Sequence, residues 1–237
     1  MAKMRDALLE ARCNGGPPYP LSGRVYGVLL NHRSARDAIG DAANSPPYKA
    51  PPKAPVLYIK PRNTLACDGD AVVIPAGATE LEIGATLGLV IGRAACNVTI
   101  EDAMDYIGGY VIVNDISIPH SVYYRPSIRF KALDGSCPLG PRVVPRSAVA
   151  NPDALTVRVD VDGEMRSRAS TADLVRPVAR LLSDVTEFMT LNPGDVLAVG
   201  VAAPAPRVRA GQRVSVEIEP LGRLENTFVA AIGRSAS

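Results

Sequence analysis

The chain has 237 residues, 47% of them apolar and 21% charged, with a formal net charge of +2. This balance suits a globular protein that buries a core without staples, and the small charge with no Lys/Arg run argues against a nucleic-acid surface. No apolar stretch approaches the roughly 18 residues of a membrane span, and the charged start MAKMRDALLEARCNGG lacks a leader's apolar run, so a cytoplasmic location is expected.

Residues 1–20 end in GGPPYP and read as an N-terminal arm closed by a turn, with residues 21–237 as one domain. Val25–Leu30 is a predicted strand, and Ser34–Ile39 opens a short helix with Ser34 as a possible cap. The stretch DAANSPPYKAPPKAP, within residues 40–55, is too rich in proline for a helix or central strand. A loop of that length in a compact domain points to a functional loop or lid.

VLYIKP (56–61) and DGDAVVIP (68–75) read as short strands, the first of buried type. The segment 83–93 is apolar on both faces, as a fully covered strand should be. NVTIEDAMDYIGGY reads as a helix that Asn97 or Thr99 caps and Gly108-Gly109 ends. YVIVNDIS (110–117) is a strong strand, and CPLGPRVVP a turn followed by a strand. LTVRVDVDGEMRSRAS alternates about Asp162-Gly163, a hairpin signal. Asp173–Met189 carries apolar residues at helical spacing and should be the longest helix. LNPGDVLAVGV and VRAGQRVSVEIEPLGRLENTFV supply closing strands. The four cysteines, Cys13, Cys67, Cys96 and Cys137, match no zinc spacing and are expected as free thiols. The local reading is a mainly β (α+β) chain with few helices, and by itself it gives no function.

Five segments in order, YIKPRNT, ATLGLVIGR, GGYVIVNDIS, KALDGSCPLGP and LNPGDVLAVG, resemble the fumarylacetoacetate hydrolase family over roughly residues 24–230. The resemblance implies a mixed β-sandwich roll of the family's C-terminal-domain type with a few short helices, usually dimeric. It also implies Mg²⁺ or Mn²⁺ held by a Glu-x-Glu pair and a later Asp, where a hard cation stabilises an enolate. Here the Glu-x-Glu positions hold Gly84 and Thr86, and of the three ligands only Asp115 is retained. Pro119 stands for a family arginine, Val199-Gly200-Val201 for a Thr-Gly-Thr, and Ala35 and Ala38 for the lid's His and Glu. A nearby Glu80-Leu81-Glu82 lies four residues early, about 13 Å along a strand, and reads as a solvated strand start.

LLNHRS, SPPYKAPPKAPVLYIKPRNT and YYRPSIRFKALDGSCPLG are similar to one branch of the family, the isomerase/decarboxylases of 4-hydroxyphenylacetate breakdown. In that branch two homologous halves occur fused or as separate subunits, and the first lacks the metal carboxylates. The resemblance implies a subunit that acts on a tricarboxylate and a dicarboxylate. A homologous metal-bearing subunit, or a homodimer, is the expected partner, and the Mg²⁺ or Mn²⁺ is expected in that partner. Lys131, Asp115 and His32 are the candidate catalytic residues: Lys131 for an enolate or carboxylate oxygen, His32 as acid or base. Asn31, His120, Tyr124, Arg125, Arg129 and Lys60 are the candidate substrate-binding residues, since Arg and Lys suit carboxylates. Lys60 could equally brace the fold. A non-catalytic partner of the metal-bearing homologue, or another 2-oxo acid enzyme of the family, is the alternative.

Overall fold

Two uninterrupted apolar runs set the centre of the fold, ATLGLVI and IGGYVIVN, both buried at every position. The computed structural model describes residues 21–22, 24–120 and 128–231. Among these residues the strands are β1 (Val25–Leu29), β2 (Val56–Lys60), β3 (Leu65–Cys67), β4 (Ala71–Ile74), β5 (Leu81–Glu82), β6 (Ala85–Ile91) and β7 (Ile107–Asn114). They continue as β8 (Cys137–Pro145), β9 (Thr156–Val161), β10 (Glu164–Ser170), β11 (Val196–Ala198), β12 (Arg207–Val208), β13 (Arg213–Ile218) and β14 (Gly222–Ala230). The α-helices are α1 (Arg33–Ile39), α2 (Ile128–Lys131) and α3 (Val178–Thr186).

A seven-stranded sheet has the order β2-β1-β11-β6-β7-β8-β3, a five-stranded sheet β10-β9-β13-β14-β4, and β12 pairs with β5. The two large sheets share one apolar core, with Leu87, Leu89 and Ile112 from the first and Val159, Val216 and Phe228 from the second. Strands covered on both faces need no polar alternation, which is why β6 and β7 read as continuous apolar runs. The β9–β10 hairpin turns at Asp162-Gly163, both at positive φ (52° and 85°), as a tight two-residue turn requires. No helix among the described residues is long and apolar enough to cross a membrane.

Several elements differ from the sequence reading. NVTIEDAMDYIGGY forms only a 3₁₀ turn, Ala103–Tyr106, before β7 begins. Its glycines are not a helix stop. A Cβ on Gly109 would sit 2.5 Å from the Val144 carbonyl oxygen, and one on Gly92 2.8 Å from Gly108 Cα. Both pairs are therefore close backbone approaches between neighbouring segments.

Helix α3 is the longest described helix, and it starts at Val178 because Pro177 precedes it. The cap of α1 is His32, whose ring accepts from the Ser34 N–H. Gly40–Asn44 is a 3₁₀ turn, so the proline-rich stretch begins in helical form. Strand β2 lies at a sheet edge with Ile59 exposed, so it is not fully buried. CPLGPRVVP is one strand rather than a turn and a strand. Cys96 and Cys137 are free, but Cys67 is disulfide-bonded, against the expectation of free thiols. The predicted arm at residues 1–20 lies outside the described residues.

Candidate active site

Tyr58 and Lys60 are two residues apart on β2 and so project to the same face of the strand. Gly27 of β1 is the register partner of Tyr58. A Cβ at Gly27 would overlap the Tyr58 ring, so the glycine makes the space in which the phenol lies. From there the Tyr58 hydroxyl donates to Asp115 Oδ2, just past the end of β7.

Two ammonium groups complete the cluster. Lys131, the last residue of α2, donates from Nζ to Asp115 Oδ2 at 2.7 Å, and its Nζ lies 4.6 Å from the centre of the Tyr58 ring. Lys60 Nζ stands 3.1 Å from Asp115 Oδ1. Its donors are spent on the Ile116 carbonyl (3.0 Å), the Lys131 carbonyl (2.6 Å) and Ser136 Oγ (3.0 Å). Lys60 is thus a brace that also acts on Asp115 through charge. All three charged groups are buried.

Burial by itself raises the Asp115 carboxyl, but the charges of Lys131 and Lys60 outweigh it and hold the group well below the usual carboxylate range. Burial, then the Asp115 charge, pushes the Tyr58 phenol well above its ordinary value. Burial also pushes the neighbouring Cys137 thiol up to about 12, so it stays protonated.

Asp115, Lys131 and Tyr58 line a cavity of about 650 Å³. The lining also includes apolar residues: Ala35, Ala38 and Ile39 of α1, and the 201–205 segment. Glu82 and Arg207 also line it, and Arg207 is held by Glu80 at 2.6 Å and Glu82 at 3.8 Å. The early Glu80-Leu81-Glu82 is therefore not merely a solvated strand start, because β5 carries Glu82 to the cavity wall.

The remaining sequence candidates separate. His120 lines the cavity; its Nδ1 lies 2.9 Å from the Ile118 carbonyl and its ring stacks on Phe130. His32 is not among the lining residues: its ring caps α1 and its Nε2 lies 3.3 Å from the Ser170 carbonyl. Asn31 is likewise a brace. Its amide donates to the Val199 and Arg176 carbonyls and accepts from the Arg176 N–H, so its polar atoms are spent away from the cavity. Arg129 is exposed on α2 and is not part of the lining. Tyr124 and Arg125 lie outside the described residues. Tyr58 is a residue that sequence reasoning missed, although its spacing from Lys60 was a visible signal.

The positions that resemble a metal site do not fit a divalent cation. A Cβ at Gly84 would overlap the Asp115 carbonyl oxygen and lie 2.9 Å from its carbon, so a longer side chain has no room. Thr86 is buried and donates to the Gly200 carbonyl at 2.6 Å. Both Asp115 oxygens already face ammonium groups, which would repel a cation placed there. Among the described residues no three His, Cys, Asp or Glu side chains group as a metal site.

Comparison with known proteins agrees with this architecture. The fumarylacetoacetate (FAA) hydrolase C-terminal family matches residues 24–229. The 4-hydroxyphenylacetate degradation bifunctional isomerase/decarboxylase of Escherichia coli is 43% identical over 209 residues, covering 88% of this chain and 48% of that protein. The chain thus spans about half the length of the curated relatives it matches. Among solved structures, the 5-carboxymethyl-2-hydroxymuconate delta-isomerase of Mycobacterium smegmatis superposes with a TM-score of 0.77 at 29% identity, covering 92% of this chain and 82% of that one. The fumarylpyruvate hydrolase of Pseudomonas aeruginosa, in complex with Mn²⁺ and pyruvate, gives 0.77 at 25% identity over 91% of this chain and 93% of that one.

Proposed function

Because the chain belongs to the fumarylacetoacetate hydrolase family, we propose that it is the metal-poor half, fused or separate, of an isomerase/decarboxylase of 4-hydroxyphenylacetate breakdown. The complete enzyme would decarboxylate 5-oxopent-3-ene-1,2,5-tricarboxylate and then isomerise 2-hydroxyhepta-2,4-diene-1,7-dioate. A homologous half with an intact Glu-x-Glu would supply the divalent cation for the enolate chemistry. The observation that carries this reading is the closure of Gly84 onto Asp115, whose carboxylate is held by Lys60 and Lys131.

Within this half, Lys131 holds an anionic oxygen of the substrate. Asp115 and the Tyr58 hydroxyl fix the position of Lys131, and the alanine-rich wall of α1 keeps water from the carbon chain. Support also comes from the 43% identity to the bifunctional enzyme. The test is turnover of the tricarboxylate by the purified chain with Mg²⁺, alone and with a homologous metal-bearing half. The chain alone should run at roughly a hundredth of the combined rate or less. Full turnover by the isolated chain overturns the reading.

A second reading, a non-catalytic partner, draws on Ala35 and Ala38, which leave the lid helix without an acid or base facing the cavity. Unchanged activity of the combined enzyme carrying Asp115→Ala or Lys131→Ala would favour it.

A further inference from the structure

The buried cluster beside the cavity carries a charge imbalance. Lys60, Asp115 and Lys131 are 1%, 2% and 8% exposed, and together they hold two ammonium groups against one carboxylate. The ion-paired group of Glu80 and Glu82 with Arg207 and Arg209 balances itself and leaves this excess in place. A buried charge without a counter-ion is costly, so the site favours any anion that reaches it.

The two lysines are not equivalent. Lys60 has spent three donors inside the protein. Lys131 lines the cavity and, among the described residues, makes its one hydrogen bond to Asp115 and lies over the Tyr58 ring, which leaves it an N–H for a ligand. The related fumarylpyruvate hydrolase is in complex with both Mn²⁺ and pyruvate. Here the place of the first family carboxylate is filled by the Gly84–Asp115 backbone approach, and the retained aspartate is already neutralised.

We propose that this cavity binds a small 2-oxo or enol carboxylate directly on the Lys131 ammonium, with no divalent cation in the complex. The inference rests on the same site as the proposed function, but it concerns binding by this chain rather than turnover by a combined enzyme. The head of the ligand lies at Lys131. Any carbon chain it carries lies against the apolar lining residues of α1 and the 201–205 segment.

The probe is sodium oxalate, a planar mimic of a 2-oxo acid enolate, titrated calorimetrically into the purified full chain. One titration contains EDTA and the other MgCl₂. The dissociation constants, calculated on free oxalate after allowing for its complex with Mg²⁺ in solution, should agree within about twofold, since an ammonium and not a metal makes the contact. The six-line electron paramagnetic resonance signal of free Mn²⁺ should also persist when the protein is added. Lys131→Met should weaken oxalate binding by about tenfold or more, the loss expected for one charge-assisted hydrogen bond. If that variant fails to fold, oxalate should slow acetylation of Lys131 in the wild-type chain several-fold by mass spectrometry. Binding that needs Mg²⁺, loss of the Mn²⁺ signal, absence of oxalate binding in both buffers, a Lys131→Met variant that binds as wild type, or unprotected Lys131 each overturns the proposal. Failure of the homologous half to raise turnover bears on the proposed function and leaves these outcomes unaffected.

Discussion

Lys131 Nζ lies 2.7 Å from Asp115 Oδ2, and neither group has enough water around it to stand alone. The pair is therefore mutually dependent, and Lys60 on the other carboxylate oxygen makes the dependence unequal. Removing the one carboxylate exposes two ammonium groups to each other, whereas removing one lysine leaves a balanced pair.

Asp115→Asn should accordingly cost about 3–5 kcal/mol of folding stability, the usual penalty for orphaning buried charges. Urea denaturation at neutral pH measures it. Lys131→Met should cost less, because Lys60 still neutralises the carboxylate.

The same carboxylate gives the fold an acid limb. Its folded pKa lies below its unfolded value of about 4. The stability it contributes is therefore complete above about pH 4 and is lost as pH falls below that. Urea midpoints at pH 7 and pH 3 should differ more for the wild-type chain than for Asp115→Asn. Equal differences would show that Asp115 is not held by its neighbours.

Tyr58 and Gly27 should behave as one unit. Tyr58→Phe leaves an Asp115 oxygen short of a donor and should cost about 1–2 kcal/mol. Gly27→Ala should cost more, because its new methyl displaces the whole ring. In a Tyr58→Ala background the Gly27→Ala cost should largely vanish, a coupling that a double-mutant cycle in thermal or urea melts reads directly.

His32 should act on stability and not on ligand. His32→Ala removes a helix cap and should cost about 1 kcal/mol, with oxalate affinity within about twofold of wild type. Burial lowers its pKa, so the unfolded chain takes up the proton more readily. The ring's contribution is complete above about pH 6.5 and declines as pH falls below that value. A pH series of melts for His32→Ala against wild type checks the sign.

The centre of the fold was legible because covering on both faces writes a plain apolar run. Strands β6 and β7 were found that way, and the Asp162-Gly163 turn announced itself by chemistry. Gly108-Gly109 misled because a glycine pair signals a helix end and a close strand approach in the same letters. At the site, Asp115 and Lys131 were reached by resemblance, and both line the cavity. Asn31 and His32 were not separable from ligand-binding residues in sequence. Nothing local shows that their polar atoms also meet Arg176, Val199 and Ser170, which lie 138 to 168 positions away. Tyr58 was missed because its role depends on Gly27, a residue on another strand.

The contact between Gly84 and the Asp115 backbone also sets a direction on further change in this chain. A glycine there lets two segments close to a spacing at which no side chain fits, with the Asp115 N–H bonded to the Gly84 carbonyl at 2.9 Å. Placing a carboxylate at that position by a single codon change would force those segments apart before a second ligand existed to reward the move. The product would be a less stable protein with no new chemistry. The cavity beside Lys131 can therefore be reshaped around new anions more readily than it can be given a metal-binding carboxylate at position 84.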